Sequence, residues 1–509
     1  MFCRGRQRLE KTFTGSGESV PHMAAHADRA LQPTLPAAIR HRLGIDTRAL
    51  AAFRIAVGAI LLADLCYRAR DLVAFYTDAG VLPREASASV YPALSPYSMH
   101  GLSGAAWVQW LLFGLAAVLA VLLVVGYRTR AAAVGSWLLL ASLQFRNYLV
   151  LNGGDAVLLV ALFVALFLPL GERWSLDALA ADRETRTRVA GFGTAALLSQ
   201  VLLIYATNAV FKLRSDAWTS GRAVPTVYQV DRFTVGLGEV LADFEAVLVT
   251  LDYGWLALLV ASPLLVVVTG RRRTALVGAF AAAHVGMYLT MDLGFFPHVM
   301  LACLLLFLPS TAWDRVEATL ARVRAEATPQ VAAAWIPTDY GPVVPGRLRR
   351  AVARLVPVAT ATILVAGLLW QGVALGYVST PSAAPVDPAE HNWKLFAPHP
   401  PSTDGWFVVN GTLATGETVD LYPHADTLGG PPDDTAAIYP TTRWRKYLGE
   451  VRWDETVRRY FADYLCRWGA DRYGTAVEAL TIAYVSGSID APSDRHRDVL
   501  GRYRCPVVE

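Results

Sequence analysis

One lysine in this chain lies where a reaction can use it. Lys212 closes the apolar run "LLSQVLLIYATNAVFKLRSDAW", with Tyr205, Thr207 and Asn208 just before it. An ionisable group at membrane depth costs about 2.5–3.5 kcal/mol at the centre of a helix, so it is read first as functional. An amine held there can take up a proton from a bound molecule. The plain alternative is an anchor, its stem in lipid and its ammonium among the headgroups. The polar approach through Tyr205, Thr207 and Asn208 favours a helix that faces a pocket.

Other polar groups collect at the same level. Asn147, Asn152 and Asp155 fall in "NYLVLNGGD", His284 lies within a later apolar run, and Asp292 follows in the next turn. Asn152, Gly153, Gly154 and Asp292 are candidate ligand contacts, the glycines because a backbone without Cβ lets a ligand come close. His284 is a candidate supporting group for Lys212. Each has a structural alternative: His284 as a hydrogen-bonded packing residue, Asp155 and Asp292 as helix N-caps. Asp64, inside the first apolar run, reads as a structural partner of Arg54 or Arg68.

The elements that must position these groups are apolar helices. Of 509 residues, 54% are apolar and only 17% charged, against about a quarter charged in soluble proteins; mean hydropathy is +0.36. Crossing a hydrocarbon core takes about 20 helical residues. Nine segments are predicted as spans: 49–68, 105–127, 131–150, 154–170, 189–212, 247–269, 274–291, 295–309 and 353–378. The fold class expected is an all-α polytopic membrane domain of eight or nine helices, followed by a small α+β extracytoplasmic domain.

Orientation follows from the loops. "GYRTR", "GERWSLDALAADRETRTR", "GRRRT" and the segment 311–352 are arginine-rich, whereas "NYLVLNGGD" and "MDLGFFPH" hold no Lys or Arg. The positive-inside rule then places the N-terminus in the cytoplasm and the last domain outside. Arg214, Arg222 and Arg232 break the rule, which suggests that they have another job. The net charge of +4 comes from such loops and does not indicate nucleic-acid binding. The organisation expected is a disordered cytoplasmic tail over 1–44, a membrane domain over 45–310, a cytoplasmic loop over 311–352, a final span over 353–378 and an α+β domain over 384–509. Cys3, Cys66, Cys303, Cys466 and Cys505 have no metal-ligand spacing. Cys466 and Cys505 share the last domain and are a candidate disulfide if it faces an oxidising compartment.

"LLADLCYRARDLVAFYTDAGVLPR", "GYRTRAAAVGSWLLLASLQFRNYLVLNGGD", "FLPLGERWSLDA", "NAVFKLRSDAWTSG" and "HVGMYLTMDLGFFPHVMLACLLLFLP" together resemble the HTTM family. This is the membrane domain shared by vitamin K-dependent γ-carboxylases and by bacterial and archaeal relatives, and the likeness runs from about 45 to 310. The resemblance implies a quinone-linked carboxylase. Reduced vitamin K or menaquinone would react with O2, and the strong base formed would take a glutamate γ-proton so that CO2 adds. "FKLRSDAW" is similar to the carboxylase motif around the base, so Lys212 falls on its lysine and Trp218 on its tryptophan. Where the carboxylases carry Asn-Asn-His-Ser, this chain has Asn152, Gly153, Gly154 and Asp155; the histidine is missing, and Asp155 is the candidate proton acceptor in its place. The partners implied are the bilayer, a quinone and an exported protein or peptide substrate. A non-enzymatic protein that binds lipid or quinone, or scaffolds an exported partner, is the alternative; a transporter would need polar groups through mid-depth.

Overall fold

Asp46 caps the first long helix, α1 (Thr47–Ala69), its carboxylate accepting the backbone N–H of Arg48 at 2.9 Å. The computed structural model describes residues 41–180, 185–326, 346–379, 388, 393–422, 432 and 435–506. The tail expected over 1–44 lies outside these residues up to position 40. Helix α2 (Ala106–Val125) ends at Gly126, whose φ of 70° suits a residue without Cβ. There follow α3 (Thr129–Arg146), α4 (Gly153–Ala165), α5 (Phe192–Leu213), α6 (Glu245–Ala261), α7 (Gly270–Thr290), α8 (Phe296–Leu304), α9 (Ser310–Glu326) and α10 (Gly346–Ala374).

Helices stand at each place where a span is predicted, but most are not spans by length and composition. Among the described residues four qualify: Thr47–Ala69, Ala106–Val125, Phe192–Leu213 and Leu355–Ala374. A fifth crossing needs Phe296–Phe307 and Ser310–Arg322 to act together, and these bend by 105°. The physical reasons differ. The 13 residues of α4 rise about 20 Å against a hydrocarbon core of about 30 Å. Ser262 and Pro263 interrupt the apolar run after α6, and α7 carries Arg271, Arg272 and Arg273 in its first turn. The stretch expected as a loop from 311 begins instead with α9, whose Trp313 is buried edge-on against Trp174 at 5.7 Å. Arg48 ties α9 to α1 through Asp314 at 2.8 Å and Glu317 at 2.9 Å.

The C-terminal domain is α+β, as its alternation and turn residues predict. Strands β1 (Thr403–Leu413), β2 (Thr418–Asp420), β3 (Val477–Ser488) and β4 (Ala491–Arg504) form an antiparallel sheet in the order β2-β1-β3-β4. Phe407 pairs with Tyr484 and Val409 with Ile482, so period-2 alternation turns Phe407, Val409, Leu480 and Ile482 to one face. Helix α12 (Glu455–Tyr473) packs on the sheet, its Phe461 and Leu465 in the same apolar cluster, and α11 (Thr442–Trp453) packs on α12 and adds Trp444 and Tyr447 to that cluster. The same apolar cluster takes in Leu72, Phe75, Tyr76 and Val81 from the segment after α1. Phe75 and Trp444 lie 4.7 Å apart, so the two regions share one core.

Cys466 on α12 is bridged to Cys505 just beyond β4, with Cα atoms 5.6 Å apart. The bridge closes a loop of sequence separation 39. Replacing both cysteines by alanine is expected to cost about 2–4 kcal/mol of C-terminal-domain stability. Faster amide exchange along β4 in the variant checks it; unchanged exchange would refute the loss.

Candidate functional site

Lys212 is buried, at 1% exposure. It lies in the last turn of α5, and Tyr205 and Asn208 precede it on the same face at helical spacing. Its Nζ is 2.9 Å from the centroid of the Trp218 ring and donates to the carbonyl of Leu395 at 3.1 Å. An ammonium over an indole face is held by the ring quadrupole. Asp252 is buried on α6, a helix packed against α5. One Asp252 oxygen accepts the N–H of Val224 at 3.0 Å, while Oδ1 has no partner among the described residues. The sequence signal for Asp252 was available: it is the one acid inside the apolar run "AVLVTLDYGWLALLVA".

A segment of the C-terminal region covers the amine. Asn208 Nδ2 donates to the carbonyls of Trp393 at 3.1 Å and Lys394 at 2.8 Å, and Trp218 Nε1 to that of Phe396 at 3.0 Å. The Ser215 hydroxyl donates to the Pro398 carbonyl. The other side of the segment meets the "NGGD" turn: a Cβ added at Gly153 would be 3.7 Å from both the Leu395 side chain and the Trp393 ring. Lys212, Trp218 and Gly153 therefore converge on residues 393–398. "APHPP" reads in the sequence as turn-forming only, and nothing in it points to Lys212.

The other candidates are committed elsewhere. Asn152 is the N-cap of α4, its side chain accepting the N–H of Gly154 at 2.8 Å, and Asp155 returns the contact to the Asn152 N–H at 2.8 Å. This is a capping box. Asp155 also accepts from Arg68 at 2.6 Å and from Arg443 at 2.8 and 2.9 Å. Asp64 accepts from the same two arginines, at 2.7 and 2.6 Å, so Arg68 and not Arg54 is its partner within α1. Arg54 donates to the Val124 and Trp174 carbonyls instead. Burial opposes the charge on Arg443, but the carboxylates of Asp155 and Asp64 outweigh it and hold the group firmly protonated.

His284 Nε2 is 2.8 Å from the Tyr205 hydroxyl, with Trp255 and Phe296 edge-on to its ring. Tyr205 precedes Lys212 by two helical turns, about 10 Å along α5, and His284 packs at the Tyr205 level. Asp292 accepts from the Thr442 hydroxyl and pairs with Arg445 at 3.1 Å, joining α7 to α11. Gly154 allows a close backbone approach to Phe296: its Cβ would fall 2.6 Å from the Phe296 nitrogen. Two of the three arginines that break the loop-charge rule tie distant elements together, while Arg222 bonds its neighbour Ser220. Arg214 donates to the Leu375 carbonyl at the end of α10, and Arg232 pairs with Asp404 at the start of β1, both at 3.1 Å.

A profile of the HTTM domain matches residues 43–313, just over half of the chain. The chain belongs to the HTTM family. No curated protein and no solved structure matches it. Its HTTM domain runs from just before α1 to the start of α9 and thus contains Lys212, Trp218, Asp252 and the "NGGD" turn. The segment over the amine and Arg443, one of the two arginines on Asp155, both come from beyond it.

Proposed function

We propose that this HTTM protein is a multi-pass membrane enzyme in which Lys212 is the base for a reduced quinone, in a γ-carboxylase-type reaction. The observation that carries the reading is a lysine amine withdrawn from water over an indole ring. Desolvation of an amine favours its neutral, proton-accepting form. The donor set suits such a ligand: Lys212, Asn208, Trp218 and Ser215 each donate to a carbonyl oxygen, and the phenolic oxygens of a quinol, like the carbonyls of its oxidised form, can accept such bonds. When bound with oxygen, the reduced quinone would supply the strong base for glutamate and leave as its epoxide, with water as the other product. Lys212 would take the hydroxyl proton, Trp218 would hold the resulting ammonium, and Asp252 would stabilise it.

Asp155 is left out of this assignment because two guanidiniums already engage its carboxylate. The N-terminus is assigned to the cytoplasm and the C-terminal domain to the outside, supported by the loop arginines and by the Cys466–Cys505 bridge, which suits an oxidising compartment.

The test is incorporation of labelled CO2 into glutamate peptides by membranes supplied with phylloquinol or menaquinol, with epoxide followed in parallel. Lys212→Ala is expected to lower both products by about 10²–10⁴-fold, the usual contribution of a positioned base. Epoxide without carboxylation would keep the quinone site and change the acceptor. Neither product from the wild type would turn the reading to a lipid- or quinone-binding scaffold.

A further inference from the structure

We infer that Trp393–Pro398 is a displaceable strap that shuts the Lys212 site, so that strap and ligand occupy it in turn. This rests on the proposed reading in one respect: a ligand must reach the amine. At 1% exposure Lys212 meets nothing from solvent or lipid while the strap is in place. Side chains hold the strap. The carbonyls of residues 393, 394, 395, 396 and 398 are each taken by a side chain of the HTTM domain, from Asn208, Lys212, Trp218 or Ser215. These donors are the groups that a ligand with acceptor oxygens would need, so each bond to the strap is one that the ligand can take over.

The strap's own backbone adds to the inference. Leu395 and Phe396 have φ of 42° and 65°, left-handed values that are sterically unfavourable for residues with side chains. Such a conformation persists only when surrounding contacts impose it, so leaving the site relieves strain. Apolar packing keeps the closed form at rest: the Phe396 ring lies edge-on to Phe233 at 5.1 Å, and Ala397 is buried with Trp218. The sheet begins only at Thr403, so the strap can lift without unpairing β1.

Chain composition makes the movement readable. The four lysines are Lys11, Lys212, Lys394 and Lys446, and Lys394, on the strap itself, is exposed. Full-length protein in lipid nanodiscs is treated with a small apolar amine-reactive ester, and labelling is read peptide by peptide, with hydrogen exchange in parallel. In the wild type Lys212 is expected to label at least tenfold more slowly than Lys394, and the amides of 394–397 to exchange faster than those of β1. Phe396→Ala is expected to raise Lys212 labelling at least tenfold while α11 and β1 exchange as before. Phylloquinol is expected to raise exchange in the strap while protecting Lys212.

A folded Phe396→Ala variant with unchanged Lys212 labelling overturns the inference. If that variant does not fold, the wild type decides: strap amides as slow as those of β1 overturn it, and faster ones support it. A strap that opens but ignores phylloquinol upholds the strap and counts against the quinone reading alone.

Discussion

Arg443→Met is expected to destabilise the protein by about 3–5 kcal/mol, the usual cost of removing one partner from a buried ion cluster. The cluster is formally neutral, with Asp64 and Asp155 against Arg68 and Arg443, and none of the four side chains exceeds 5% exposure. Methionine fills much of the volume but leaves two carboxylates facing one guanidinium. Arg443 also donates to the Val150 carbonyl at 2.8 Å, so the loop before the "NGGD" turn loses a partner as well. Denaturant unfolding of the solubilised protein, followed by tryptophan fluorescence, measures the loss. The second variant makes the electrostatic cause testable. Arg443→Met with Asp64→Asn restores neutrality and is expected to recover part of the stability. A single variant that costs under 1 kcal/mol, or a double variant that costs the sum of two singles, would remove the cluster from the account of how the two regions hold together.

The cluster also marks where sequence reading stops. Asp155 was visible as an acid in a glycine turn, where the local sequence suits a cap and the family resemblance implied a proton acceptor in place of the missing histidine. Its decisive partner, Arg443, is 288 positions away, in a helix whose local pattern says only that it is amphipathic. Asp64 was legible as a partner of Arg54 or Arg68, and the pair that forms is the one four residues apart on the helix. The same distinction explains the Lys212 site. Its helix, its polar face and Trp218 are local, and the family motif supports them. The strap over it depends on where a Pro-rich linker folds back, which no periodicity encodes. A helix stands at each predicted span, although α9 was read as loop, whereas crossings were not legible, because hydropathy cannot separate a short helix buried in protein from one that faces lipid.

Gly154→Ala is expected to be the more damaging of two neighbouring substitutions, and by a wide margin. A Cβ at Gly154 would lie 2.6 Å from the nitrogen and 2.8 Å from the Cα of Phe296, distances that require backbone to move. That backbone cannot give easily. Pro297 follows in the first turn of α8, the Phe296 N–H is bonded to the Leu293 carbonyl, and Gly294 holds a φ of 59° just before. The strain must pass either into separation of α4 from α8 or into the capping box at Asn152, and overpacking of this kind costs about 1–3 kcal/mol, occasionally more. Gly153→Ala meets nothing closer than 3.6 Å, an ordinary contact with the Phe296 ring. Alanine is also the better helix former, by about 1 kcal/mol in a helix interior and less at a first turn. The expected result is a loss of at least about 2 kcal/mol at 154 and a change within about 0.5 kcal/mol at 153, read by the same unfolding measurement. Equal effects at the two positions would mean that the glycines serve the turn's conformation and not the approach of α8. An intact fold with altered strap exchange in Gly153→Ala would instead locate the sensitivity at Trp393 and Leu395, because those side chains are what the new methyl group faces across the site.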